Sequence, residues 1–238
     1  MLTEEQVKTF AVKGQSSIIN VAREYIQNLF LSIFYSFEES GSIYFKGGTA
    51  LRILYRSPRF SEDLDFSTAR IERNKIEHLL QETMIGLDKE GLEVDISESS
   101  VTTGGYFGQI TCRFGQERMP ISLEIFGRKK AVSGQIIMVD NPYIPAYSLM
   151  ALKRDSLISE KVDALLSRKK PRDFYDLYFM LRADLLPQKR VLKEIYPLVQ
   201  STKIDFKQEL LEFLPQGQHR IIKDFKNILV DEIKRYIA

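Results

Sequence analysis

Of the thirteen glycines in this chain, only Gly217 lies beyond Pro145, and the stretches in which apolar and polar residues alternate end at the same place. From there to the C-terminus apolar residues recur at helical spacing. A chain divided in this way cannot be one uniform helical bundle or one uniform sandwich. The division predicts an α+β fold with a soft boundary at residue 145. Residues 1–145 form a mixed α/β part with a small, largely antiparallel sheet, and residues 146–238 form a bundle of four or five helices. At 238 residues and 44% hydrophobic content, the chain can fill one sizeable core or two adjoining ones.

Charge and reactive side chains narrow the chemistry. Lys and Arg number 34 against 32 Asp and Glu, a formal net charge of +2. That balance excludes coating nucleic acid by bulk electrostatics, so a polyanion has to be gripped at a local patch. Cys112 has no second cysteine to pair with, and with only His78 and His219 beside it no four-ligand Cys/His zinc site can be assembled. A hard-cation site built from carboxylates stays open. No secretory signal is evident, and the most apolar stretch, 26–37, is interrupted by Gln27, Asn28 and two serines. The expectation is a soluble, cytoplasmic protein with no membrane partner.

Thr3 and Gln6 have the spacing of a capping box that opens a helix. Helical spacing continues, broken at Gly14, to a stop near Gly41. Ile43-Tyr44-Phe45 reads as a strand that runs through Lys46-Gly47-Gly48-Thr49 into a short helix. Asp63-Leu64-Asp65-Phe66 alternates like a half-buried strand, a helix follows over about 71–89, and strands lie near 92–96, 106–114, 119–126 and 135–139.

On a strand, Asp63 and Asp65 project from one face, where two like charges repel unless a cation sits between them. Mg²⁺ shared between such a pair and substrate phosphates is one answer; an acidic strand end facing water is the other. Gly47-Gly48-Thr49, placed between a strand and a helix start, offers bare backbone N–H groups to phosphate, although Gly-Gly is also an ordinary turn device. Fourteen residues separate Gly48 from Asp63, enough for a helix and a return to an adjacent strand. Arg56 and Arg59 in the connection offer cations for the same phosphates. A third carboxylate is expected on a neighbouring strand: Glu124 first, Asp95 in reserve.

In the helical part, Lys161 and Arg168 fall on the apolar arc of Leu157, Ile158, Val162, Ala164, Leu165 and Leu166, while Asp173 and Asp176 lie three apart on a nearly all-apolar helix. Buried charges need partners. Either these four lock two helices together, or Lys161 reaches nucleotide phosphates while the aspartates orient it; the two readings are compatible.

Four ordered blocks together carry a resemblance: Phe45-Lys46-Gly47-Gly48-Thr49-Ala50-Leu51-Arg52, Arg59-Phe60-Ser61-Glu62-Asp63-Leu64-Asp65-Phe66, Glu160-Lys161, and Arg172-Asp173-Phe174-Tyr175-Asp176-Leu177. Over residues 40–182 the chain resembles the AbiEii nucleotidyltransferases, toxins of type IV toxin–antitoxin and abortive-infection systems within the DNA polymerase β superfamily. The resemblance implies a nucleotidyltransferase domain followed by a helical domain, with the active cleft between them. It implies nucleotide binding by Lys46, Gly47, Gly48, Thr49, Arg52, Arg59, Ser61 and Lys161, and Mg²⁺ binding by Asp63 and Asp65. Glu124 would be the third metal ligand only by its place on a later strand, and Asp173 or Asp176 would be a further required acid. It further implies an NTP substrate, an RNA acceptor such as the tRNA 3′ end, a role in phage defence and a cognate antitoxin. The competing readings are a catalytically silent binding protein of the same fold and an enzyme that nucleotidylates a protein hydroxyl.

Overall fold

The computed structural model describes residues 1–128 and 132–237. By internal packing the chain divides into two units, Met1–Arg56 with Phe60–Lys153, and Ser57–Arg59 with Arg154–Ala238.

The first unit opens with α1 (Glu4–Lys13) and α2 (Ile18–Phe34). Thr3 caps α1 reciprocally with Gln6: the Gln6 N–H donates to the Thr3 hydroxyl at 3.2 Å, and the Thr3 N–H donates to the Gln6 side-chain oxygen at 2.9 Å. The Ser17 hydroxyl accepts from the Asn20 N–H and starts α2. Helix α2 stops at Phe34, earlier than its apolar spacing suggests, and a short 3-10 turn over Glu38–Ser42 leads into β1 (Ile43–Lys46). Then come α3 (Gly47–Tyr55), β2 (Leu64–Thr68), α4 (Arg73–Lys89), β3 (Glu93–Thr102), β4 (Gly105–Phe114), β5 (Glu117–Gly127), β6 (Gly134–Val139) and β7 (Tyr147–Leu152).

The seven strands form one sheet in the order β3-β4-β5-β2-β1-β7-β6. It is a mixed sheet in which four of the six strand pairings are antiparallel, while β2 runs parallel to β5 and β1 parallel to β7. Strand β7 also lies past Pro145, where composition suggested only helices, and its pairing with β1 and β6 keeps 147–152 in the first unit. Directly paired residues share a sheet face. On one face Phe66 pairs with Phe45 and Ile125, and its ring stacks on Phe34 of α2 at 5.3 Å. Leu80 of α4 lies over Gly108, which pairs with Leu123 on that same face. This is the buried core of the unit.

The second unit contains α5 (Arg154–Arg168), α6 (Pro171–Arg182), α7 (Lys189–Ser201), the short α8 (Phe206–Leu210) and α9 (His219–Ile222), and α10 (Phe225–Ile237). That is six helical segments where the sequence suggested four or five. Pro171 takes the first position of α6, where its missing N–H costs nothing. Aromatic rings close the core: Phe225 stacks on Tyr175 at 5.8 Å and meets Phe206 edge-on at 5.0 Å. Among the described residues no helix is long and apolar enough to cross a membrane.

Candidate active site

The sheet face opposite the core carries the candidate chemistry. Lys46, Asp65, Glu124 and Phe107 form one register row across β1, β2, β5 and β4, so their side chains share that face. Asp65 and Glu124 are both partly exposed, in contrast to Leu64, Phe66, Leu123 and Ile125 beside them. Asp63 does not lie on the strand as its alternation suggests but immediately before it, since β2 begins at Leu64. The sheet order also separates the two candidates for a third acid. Glu124 is the direct neighbour of Asp65, whereas Asp95 pairs with Thr111 on the edge strand β3, three places from β2.

The glycine bend meets these acids. Gly47 has φ +83°, a conformation that L side chains resist. Its α-carbon is packed against Asp65 so closely that an added Cβ would overlap the carboxylate. Gly47 is the first residue of α3, and no side chain caps that helix, so its leading N–H groups and the positive end of its dipole face the same place as Asp65.

Other residues hold this geometry together. Thr49 is fully buried and its hydroxyl donates to the Asp63 carbonyl at 2.5 Å, so what Thr49 offers a ligand is its backbone N–H, not its hydroxyl. Gln27 of α2, also buried, donates from its amide nitrogen to the carbonyls of Ser61 and Glu62 at 3.0 and 2.9 Å. Ser61 therefore serves through its backbone as an anchor for the segment that delivers Asp63. Arg52 forms a two-pronged pair with Glu24 at 2.7 and 3.0 Å and stacks over Phe60. It lines a cavity of about 470 Å³ whose walls include Glu24, Asn28 and Tyr143 and neither Gly47 nor Asp65.

Lys46 is almost wholly buried, with its ammonium 4.2 Å above the ring of Phe126. Phe126 lies two residues beyond Glu124 and pairs with Ser67, which places both on the acidic face. The Arg128 Nε donates to the Ser67 hydroxyl at 3.2 Å, and its guanidinium stands 5.9 Å from the Phe126 ring. Gln27, Ser67, Phe126 and Arg128 belong to no motif block; strand register reveals Ser67 and Phe126, and the tertiary contacts of Gln27 and Arg128 reveal the other two.

Within the second unit, Asp176 is 1% exposed and receives two bonds from Arg59, at 2.9 and 3.1 Å, and one from Lys161 at 2.7 Å. Burial alone would raise its carboxyl, but Arg59 and Lys161 outweigh it and hold it at about 2. Asp173 accepts from Arg168 at 2.7 Å and from the Lys170 backbone N–H at 3.1 Å, so it also caps α6. All four charged residues flagged on these helices are thus engaged in ion pairs, with Arg59 as a fifth member. Arg168 itself is half-exposed rather than core-facing.

Asp63, Asp65 and Glu124 supply only carboxylate oxygens, the donors suited to a hard divalent cation. Among the described residues no three His, Cys, Asp or Glu side chains converge closely enough to enclose an ion by themselves. Cys112 is buried and its thiol is pushed up to about 12, which leaves no thiolate for chemistry.

No curated protein matches the chain. Among solved structures, it is similar to a candidate nucleotidyltransferase from Helicobacter pylori, with a TM-score of 0.64 and 16% identity over 91% of this chain and 94% of that one. It is equally similar to JHP933 from Helicobacter pylori, with a TM-score of 0.64 and 18% identity over 93% of each chain. These likenesses establish the fold. The family model described as "Nucleotidyl transferase AbiEii toxin, Type IV TA system" matches residues 30–235, nearly the whole length, and the chain therefore belongs to the AbiEii nucleotidyltransferase toxin family.

Proposed function

We propose that this toxin transfers a nucleotide from an NTP to the 3′ end of an RNA, tRNA being the acceptor class suggested by its motifs, in a reaction dependent on Mg²⁺. The observation that carries the reading is the contact of Gly47 with Asp65, itself the register partner of Glu124. It supports a phosphate-binding bend and a carboxylate pair serving one reaction. The acceptor hydroxyl oxygen bonds to the α-phosphorus while the bond to the bridging oxygen of pyrophosphate breaks, and the hydroxyl proton leaves to solvent. One or two of the carboxylates of Asp63, Asp65 and Glu124 would hold the metal, which would supply positive charge at the reacting phosphate oxygens and make the acceptor hydroxyl more acidic.

The chain's own groups do the positioning. The N–H groups of Gly47, Gly48 and Thr49 hold the departing phosphates, and the missing side chain at Gly47 lets them approach Asp65. Thr49 and Gln27 keep Asp63 in place from behind. For Lys161 the assignment to nucleotide phosphate rests on motif position, and Asp176 fixes its ammonium. We place the activity in the cytoplasm as a growth-inhibiting or phage-defence response restrained by an antitoxin.

The test uses each α-labelled NTP with Mg²⁺ and a cell extract. Wild type should label RNA in the tRNA size range, and Asp65→Ala should fall at least about a hundredfold while melting normally. An Asp65→Ala protein as active as wild type overturns the site assignment.

A further inference from the structure

We infer that strand β6 pairs antiparallel with β6 of a second copy of this chain about a two-fold axis at Ile137, joining two sheets edge to edge in a homodimer. The inference stands apart from the nucleotidyl-transfer reading and rests on how differently the two edges of the sheet are made.

The sheet ends in β3 on one side and in β6 on the other, and among the described residues neither has a strand on its outer side. An open edge presents unpaired N–H and C=O groups to any other strand, and proteins blunt it with charge, proline or a bulge. Strand β3 has two of these devices. It carries Glu93, Asp95 and Glu98, and its register slips between Ile96 and Glu98. Strand β6 has none of them. Gly134-Gln135-Ile136-Ile137-Met138-Val139 contains no charge and no proline, and it pairs with β7 in unbroken register. Ile136 and Met138 are 75% and 73% exposed, more than any other large hydrophobic side chain on the strands. Two residues apart, they stand on one face with Met150 and Ser148, their partners on β7.

A second copy is the occupant that fits, because the strand is complementary to itself. Cross-strand partners share a face, and the register with its axis at Ile137 keeps the apolar faces together. Ile136 falls opposite the partner's Met138, Met138 falls opposite the partner's Ile136, and the four side chains make one patch. Such an isologous contact closes on itself and gives a dimer rather than a filament. A cavity of about 200 Å³ beside Ile136, walled also by Tyr35, Phe37 and Met150, gives the partner's Met138 a place to enter. An unbranched, flexible thioether suits such a gap. Charge agrees at the ends of the ladder. Asp140 follows β6 and Lys153 follows β7; both are exposed, and neither has an ion pair among the described residues. In this register Asp140 falls opposite the partner's Gly134, and Gly134 pairs with Leu152, the neighbour of Lys153. Two strand spacings, about 10 Å, then lie between opposite charges, a gap that the lysine side chain shortens.

A six-residue ladder makes a small interface, so the expected dissociation constant is on the order of micromolar. Sedimentation velocity of the full-length protein should therefore show wild type passing from monomer to dimer between about 1 and 100 µM. Ile136→Lys with Met138→Lys, and separately Ile136→Glu with Met138→Glu, should each stay monomeric, because like charges then stand directly opposite. An equimolar mixture of the two double variants should regain a dimer, since every lysine then faces a glutamate of the other variant. Misfolding of either variant could not produce that result. Ile137→Cys, with its Cα about 5 Å from its counterpart across the axis, should form a disulfide-linked dimer on mild oxidation. Wild type that stayed monomeric throughout would overturn the inference and leave the edge to a different protein. A dimer retained by both double variants would overturn it, and so would open-ended aggregation of wild type in place of a discrete dimer. Failure of the mixture to dimerise, or of the cysteine to cross-link, would overturn the axis at Ile137.

Discussion

Asp65 and Asp176 are carboxylates in two regions that treat acids in opposite ways. Asp176 is almost fully enclosed in the helical unit, and two cations hold it in fixed geometry. Asp65 is partly exposed on a sheet face, has another acid as its register partner, and lies against a glycine whose lack of a side chain makes room for it. In the first case the charge is already neutralised by the protein. In the second the register partner is itself an acid, and the two stand beside the start of α3. The contrast teaches that burial and partner identity, more than the presence of an acid in a motif, separate an acid that holds helices from one that acts on a ligand.

The largest test exchanges one acid at a time. Asp176→Asn leaves Arg59 and Lys161 without their counterion and should cost about 3–5 kcal/mol in urea unfolding. Asp65→Asn should unfold near the wild-type midpoint. If the two variants were equally stable, the distinction between the regions would fail.

Acid titration sharpens the same contrast. The Asp176 carboxyl is depressed in the folded state, so its contribution to stability is complete above the unfolded value near 4 and disappears as pH falls through about 2. Roughly 2 kcal/mol should be lost across that window, as judged from denaturant midpoints in steps of pH. In Asp176→Asn that portion of the acid dependence should be absent.

A smaller loss of stability than at Asp176 is expected at the bend. Gly47→Ala must hold a side chain at φ +83° and displace the Asp65 carboxylate. Left-handed backbone alone costs about 1–2 kcal/mol, visible as a modest drop in melting temperature. Nucleotide transfer should fall far more steeply than that drop, and a proportionate fall in both would place the bend with the packing residues instead.

The sequence made some of this legible and hid the rest for a physical reason. Local signals such as the Thr3 cap, the Gly14 break and the turn from Phe45 through Gly47 appear in the structure where periodicity puts them. The ion pairs of Lys161 with Asp176 and of Arg168 with Asp173 follow from the rule that buried carboxylates on an apolar helix need partners, although Arg168 itself is half-exposed. Strand β7 was missed because six residues of Tyr-Ser-Leu-Met-Ala-Leu alternate too weakly to stand out beside helical neighbours. The grip of Asp176 on Arg59, 117 positions away in the chain, is likewise not signalled by any local spacing. Gln27, Ser67 and Arg128 are hidden for the same reason: their partners are brought together by tertiary packing and strand register, which no local spacing encodes.

The three residues Ser57–Arg59 belong to the helical unit although the chain on both sides of them belongs to the sheet. The polypeptide thus crosses its own division three times, and no single cut yields two intact halves. A fragment beginning at Arg154 would inherit Asp176 and Lys161 without the guanidinium that grips the same carboxylate. Expressed alone, such a fragment would have to refold around a charge imbalance that the full-length chain resolves.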